Sequence, residues 1–379
     1  MALLEKKLTH ELMTQERLLR HWFGGPQVPF WNYDPRMLTI GVELEYLIAR
    51  GRQESFIGTE ELILATQKDY HVAMCHLIAD AGYQPLEIAD QPGRIGKDTK
   101  TGFIAIKPDF AWHILEVSLP PRRNLIEIQE LIESVLREID RALEKAFLRR
   151  LTISSLPRPP KSMELVDMAR MQGFTSSVRQ KNGDNPFLDP MFPAYITATH
   201  VHLNAFDREA LSIWPHLYSI EASIGEIYCR AKSFAGQKVE SVRSEFLRHT
   251  MGDSYKLKGI PEHIPNSVDD YLDALNTSDP AFPNDKFFPV RDVSYIRPSR
   301  FGTIEFRSAC SSPEVSELVE ICAWRITQLV AASRMAHAKA DLLDTVIRTT
   351  EHLTKIEVLP ESAAASMLAK VRYRLGRHG

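Results

Sequence analysis

The chain has 379 residues, so against a typical domain of ~150 residues one large domain and two ordinary ones are both open. Hydrophobic residues make up 44%, charged residues 25% and aromatics 9%, which excludes a collagen, a coiled coil or wholesale disorder. Lys+Arg 46 against Asp+Glu 49 leaves a net charge of -3, without the positive field that non-specific nucleic-acid binding needs, so a small-molecule partner is expected. Cys75, Cys229, Cys310 and Cys322 show neither CxxC spacing nor histidines at zinc-finger intervals, which does not indicate a disulfide framework. Charges interrupt every apolar stretch of MALLEKKLTHELMTQERLL, and nowhere do about 18 uncharged apolar residues run together. The expectation is a cytoplasmic enzyme or binding protein with no membrane span.

In chain order, residues 3–22 have helical spacing and end at Gly24-Gly25-Pro26. Leu38 to Ala49 alternates: Leu38, Ile40, Val42, Leu44, Tyr46 and Ile48 on one side, Gly41, Glu43 and Glu45 on the other. Thr59 to Gly82 reads as a helix, and Gly102 to Ile106 and Ala111 to Leu119 read as strands, the second closed by Pro120-Pro121. Asn124 caps an amphipathic helix whose stripe runs from Leu125 through Leu143 to Phe147. Leu156 to Pro193 is rich in Pro, Gly, Asn, Asp and Ser and reads as a long loop. Tyr195 to Phe206 reads as a strand, Leu211 to Phe234 as a helix, Asn266 to Pro289 as a polar loop and Phe301 to Ala309 as the last strand. Ser312-Pro313 opens a helix to about Leu343, and another follows Pro360. Without βαβ alternation the class is α+β with an antiparallel sheet.

Four strands carry chemistry on one face and apolar residues on the other. GVELE holds Glu43 and Glu45; PDFAWHILEVSLPP holds Glu116, with Asp109 on the same face only if the chain bulges or turns near Pro108-Asp109. THVHLNAF aligns His200, His202 and Asn204, and GTIEFRSA aligns Thr303, Glu305 and Arg307. A solvated sheet face would mix in lysines, whereas these faces read as acids and two histidines with one Arg and no Lys. Carboxylates so gathered repel unless cations lie between them, and oxygen donors with an imidazole suit Mg²⁺ or Mn²⁺. With no GxxxxGK[ST] and no GxGxxG after a strand, a nucleotide would be held by metals and arginines; Arg307, then Arg297 and Arg300 in YIRPSRFG, are the candidates.

Taken in order, GVELE, PDFAWHILEVSLP, THVHLN and RFGTIEFR resemble the four motifs of the glutamate–cysteine ligase superfamily, in particular its bacterial carboxylate-amine ligase branch. The resemblance spans about Gly41 to Ala309. It implies a curved, mostly antiparallel α+β sheet forming a funnel-like active site, with helices on its outer face, as in glutamine synthetase and guanido kinases. It also implies ATP-dependent joining of a small carboxylate to an amine through an acyl-phosphate, glutamate with cysteine being one such pair. Carried over, Glu43, Glu45, Asp109, Glu116, His202 and Glu305 become metal ligands, Glu305 and Arg307 catalytic groups, and Arg297, Arg300, His200 and Asn204 contacts to the nucleotide. Residues 37–379 would form one catalytic domain. Residues 1–36 would form a helical extension, whose aromatics can pack onto the domain, form a homodimer contact or close part of the site. Ala309-Cys310 stands where the family has an acid. Two rival readings stay open: a metal-dependent amide hydrolase, from the His-x-His pair, and a non-catalytic relative that binds a nucleotide or small acid.

Overall fold

The structure, a computed structural model, describes residues 34–51, 62–87, 92–166, 187, 189, 191–204, 210–249, 256–276, 292–299, 302–338 and 341–375. Residues 3–22 and Arg300, and most of the loops expected after Leu156 and after Asn266, lie outside the described residues.

Strand β1 (Ile40–Arg50) leads into helix α1 (Gln67–Ala81), then β2 (Gln84–Pro85), β3 (Ile95–Thr99), β4 (Gly102–Pro108), β5 (Ile114–Arg122), α2 (Leu125–Lys145) and β6 (Leu148–Arg150). There follow β7 (Thr199–Leu203), α3 (Ala210–Ile224), β8 (Ser233–Phe234), β9 (Gln237–Lys238), α4 (Val242–His249), β10 (Lys258–Gly259) and α5 (Val268–Asn276). The last elements are β11 (Val293–Ser294), β12 (Ile296–Ser299), β13 (Thr303–Phe306), α6 (Val315–His337), α7 (Leu342–Lys355) and α8 (Glu361–Leu375). The nine-stranded sheet has the order β12-β13-β7-β1-β5-β4-β3-β2, with β6 also on β1, and all its pairings are antiparallel. The expected α+β class is observed.

Period two in the sequence becomes two chemically distinct sheet faces. On the apolar face Ile95, Ile106, Val117 and Leu44 are successive cross-strand partners, as are Val42, Val201, Phe306 and Ile296. All are buried in one core with α2 and α6, which pack on β5 and β7 and on each other. At about 25 cal/mol per Å² of apolar surface, this layer is the main force holding the sheet in register.

Local chemistry moves several boundaries. Helix α1 starts at Gln67 rather than Thr59, because Thr66 and Asp69 form a reciprocal capping box. The strand expected from Ala111 starts at Ile114 and runs through Pro120-Pro121 to Arg122; its register with β1 shifts between Ile40 and Val42, and such a bulge accommodates residues lacking an N–H. Phe147, expected on the stripe of α2, lies beyond its end at φ 57 and is 76% exposed. The helix expected to Phe234 stops at Ile224, and the polar stretch after Asn266 begins with α5. The helix expected from Ser312 to Leu343 is two: α6 ends at His337, and Asp341 caps α7 by accepting from the Asp344 N–H.

Two buried polar devices tie the layers together. Between α3 and α6, Arg325 donates to Glu221 Oε2 at 2.6 Å, Gln328 Oε1 at 2.7 Å and Ser308 Oγ at 2.7 Å. Arg325→Met, which strands the Glu221 carboxylate in the core, should cost about 3–5 kcal/mol in urea unfolding, with part recovered in Glu221→Gln/Arg325→Met. In the β4–β5 turn, the His113 Nε2–H donates to the Ala194 carbonyl at 2.8 Å, and burial drives its pKa down to about 4 from 6.5. Between those values the unfolded chain binds a proton that the folded chain refuses, so stability falls as pH drops, by up to ~1.4 kcal/mol per pH unit. The urea midpoint should therefore fall less steeply from pH 6.5 to 4.5 in His113→Gln, which keeps a donor at the Nε2 position; parallel slopes would refute this.

Candidate active site

The other sheet face carries ionisable residues in cross-strand rows. Glu45 on β1 pairs with Glu116 on β5, which pairs with Lys107 on β4; Glu43 pairs with His200 on β7. Gly41 pairs with His202, His202 with Glu305 on β13, and Glu305 with Arg297 on β12. A Cβ on Gly41 would meet the His202 Cβ at 3.3 Å, so glycine there leaves the imidazole its space. The turn needed for Asp109 is present: Asp109 follows β4, its N–H donates to the Ile114 carbonyl at 3.0 Å, and it lies two residues beyond Lys107 on the same side.

Two triads result. One oxygen or ring nitrogen from each of Glu43, His202 and Glu305 lies within 4.8 Å of the others, and the same holds for Glu45, Asp109 and Glu116. The six residues expected as metal ligands thus converge as two groups. Five carboxylates with one imidazole are hard donors that fit Mg²⁺ or Mn²⁺ better than a thiophilic ion.

The remaining candidates separate. Arg297 lies on β12 and grips Glu305 bidentately at 2.7 and 2.9 Å. Arg307 places Nε 3.3 Å from Glu305 Oε1 and donates to the Asp292 carbonyl at 3.2 Å. His200 is outside both triads: its Nδ1 lies 3.4 Å from Glu43 Oε2, while its Nε2 accepts from Arg243 at 3.0 Å. Asn204 Oδ1 accepts from the Thr39 N–H at 2.6 Å and so extends the β1–β7 pairing. Cys310 is buried beside Cys229, with its N–H on the Tyr228 carbonyl at 3.3 Å; the Cys229 hydrogen bond draws its thiol pKa down to about 6.

The expectation of one Arg and no Lys is corrected. Lys107 lies on this face, 2.5 Å from Glu116 Oε2, and Arg243, buried on α4, reaches it from outside the sheet. With Arg297 and Arg307 these side chains supply much of the positive charge that the acids require. Repulsion alone therefore does not demand metal, and the fit to metal rests on donor geometry. Alternation through IAIKPD could have revealed Lys107; nothing local in SVRSEF marks Arg243.

Burial and neighbours set the ionisation. Burial pushes Glu45 up to about 8, helped by Asp109 and Glu116 and opposed by Arg243; burial likewise raises Glu116, against Lys107. In Glu305 burial is outweighed by Arg297 and Arg307, which hold it at about 2. Burial also opposes ionisation of Glu43, but the neighbouring imidazoles of His200 and His202 keep it well below the usual carboxylate range. Burial, then repulsion from Arg297, lowers Arg307 to about 9, and burial lowers His200 to about 4.

No family model and no curated protein matches the chain. Among solved structures, a bifunctional glutathione synthetase from Pasteurella multocida is similar over 91% of this chain and 49% of its own, at 13% identity and TM-score 0.49. The ligase PafA, in complex with the prokaryotic ubiquitin-like protein Pup, is similar over 90% of this chain and 64% of its own, at 9% identity and TM-score 0.46. Glutamate–cysteine ligase from Francisella tularensis, in complex with AMP, is similar over 89% of this chain and 82% of its own, at 12% identity and TM-score 0.48. The chain spans about half the length of the first of these.

An arginine has no acceptor, so the Arg243 contact fixes the His200 proton on Nδ1. Long-range ¹H–¹⁵N spectra at pH 7 should show His200 as the Nδ1–H tautomer and His113 as the Nε2–H tautomer, with the His200 preference weakened in Arg243→Met. An Nε2–H signal for His200 in the unmodified protein would contradict the geometry.

Proposed function

We propose that the chain is an ATP-dependent carboxylate–amine ligase that forms an amide bond through an acyl-phosphate, with glutamate and cysteine as the first substrate pair to test. The observation that carries the reading is the pair of hard-donor triads, Glu43–His202–Glu305 and Glu45–Asp109–Glu116, on one sheet face flanked by arginines. Residues 37–379 then act as one catalytic domain with 1–36 as an extension, and the antiparallel sheet curves into a funnel of the glutamine synthetase and guanido kinase kind. An enzyme of this type would work in the cytoplasm on small carboxylates and amines.

The reaction needs two anions to meet. A substrate carboxylate oxygen attacks the γ-phosphorus of ATP as the bond to the β-phosphate oxygen breaks and ADP leaves; the amine then attacks the acyl carbon and phosphate departs. Glu43, His202 and Glu305, with Glu45, Asp109 and Glu116, would hold a divalent ion, which would supply positive charge against that building up on the transferring group. Arg307, oriented by the Asp292 carbonyl and Glu305, meets the phosphoryl group or the substrate carboxylate as a planar cation. Arg297 holds Glu305 in one orientation, as a partner beyond a ligand does. His200, bonded to Arg243 and absent from both triads, does not form a ligand pair with His202, which favours the ligase over an amide hydrolase.

Hydroxylamine intercepts an activated acyl group whatever the natural amine. Protein with ATP, Mg²⁺ and pooled carboxylic acids should form a hydroxamate and ADP together, and Glu305→Gln or Arg307→Ala should lower both by about 100-fold or more. Amide hydrolysis without nucleotide would replace this reading with the hydrolase.

A further inference from the structure

The two triads differ in the cations that already attend them. At Glu43–His202–Glu305 the guanidinium groups of Arg297 and Arg307 both address Glu305, whereas among the described residues Glu43 has the imidazoles of His200 and His202 within 4 Å. A planar fork fixed on one carboxylate orients that ligand while the carboxylate's other lone pairs stay available. At Glu45–Asp109–Glu116, Arg243 acts on Glu45 and Asp109 from a distance, and the cation within ion-pair distance of the triad is a lysine. Lys107 faces Glu116 across the β4–β5 pair, with Nζ 2.5 Å from Glu116 Oε2 and 3.9 Å from Asp109 Oδ1. Its side chain is 15% exposed. An ammonium is a compact point charge with three donors, so among converging carboxylates it competes for the same oxygens as a metal ion.

We propose that Lys107 is the resident cation of the Glu45–Asp109–Glu116 triad, filling the place a divalent ion would take, so that the two triads load unequally and Glu43–His202–Glu305 takes the first ion. This rests on the metal-binding part of the proposed function. A second ion enters only by displacing the ammonium from Glu116 and Asp109, so its binding is weakened by the whole of that interaction. A cross-strand salt bridge with a purely structural role would affect stability and leave metal affinity alone.

The full-length protein titrated with Mn²⁺ alone, with free ion followed by electron paramagnetic resonance, separates these cases. The expected isotherm has two classes at least about tenfold apart, the equivalent of ~1.4 kcal/mol. Lys107→Met should tighten the weaker class by about tenfold or more and leave the stronger within about twofold. The gain should disappear in Lys107→Met/Asp109→Asn, and Lys107→Gln provides a second neutral variant should Lys107→Met not fold. Two equal classes in the unmodified protein, or a weaker class unchanged or loosened by both neutral variants, would overturn the role of Lys107 and leave the ligase reading standing. No Mn²⁺ binding by any of the proteins would remove the metal reading and this inference together.

Discussion

Strand β1 is hydrogen-bonded to β5 on one side and β7 on the other, and that antiparallel register fixes which charges meet. Directly opposed residues share a face, so Glu45 must stand beside Glu116 and Glu43 beside His200. A slip of one residue would drive both acids into the layer under α2 and α6 and turn Val42 and Leu44 outward. Buried unpaired carboxylates are far more costly than lost methyl groups, so the slipped sheet is strongly disfavoured. The apolar face thus acts on the site at a distance: it lies on the opposite side of the sheet from the ionisable groups, yet its packing determines their neighbours.

Register alone would assemble a cluster of acids that repel one another. What permits it is cationic side chains from elements far apart in sequence: Lys107 from β4, Arg243 from α4, Arg297 from β12 and Arg307 immediately after β13. Helix α4 is short and is held from its N-terminal side, where Ser241 Oγ accepts from the Ser244 N–H at 2.9 Å and donates to Cys229 Sγ at 2.8 Å. Arg243 is therefore delivered to His200 by a small, well-anchored element. Because Arg243, Arg297 and Arg307 all follow the acids of β1 and β5 in the chain, the charge balance on this face is complete only when α4, β12 and β13 have docked, which couples the site to the integrity of the whole sheet.

What the sequence disclosed follows from which periodicities are local. Glu43 with Glu45, and His200 with His202, are two residues apart, so a single strand reveals the shared face. Helix α2 is equally legible, because Asn124 and an apolar stripe from Leu125 to Leu143 mark it within one element. Cross-strand facts are not local: the pairing of Lys107 with Glu116 depends on the length of the hairpin between them, and that of Arg297 with Glu305 on the turn between β12 and β13. Pro298 in β12 and Pro120-Pro121 in β5 hide strand character for the same reason, since a proline is tolerated wherever the partner strand does not ask for its missing N–H. Crowded acids point to metal only while those cations are out of sight; the fit to metal rests on the two donor triads.

Two buried ionic systems in this protein behave differently, and the contrast indicates where binding energy can be gained. Around Glu221 and Arg325, between α3 and α6, charge is met by charge and by Gln328 and Ser308 at 2.6 to 2.9 Å. On the sheet face, burial works against the charged forms of Glu45 and of Arg307, raising one and lowering the other. Groups held against their preferred ionisation gain most from a ligand of opposite charge: a cation beside Glu45, an anion beside Arg307. A phosphorylated nucleotide accompanied by a divalent ion offers both at once, and a neutral substrate offers neither. The same polarity explains why the site cannot simply be closed by better internal pairing, since a fully neutralised row would hold its shape equally well and bind nothing.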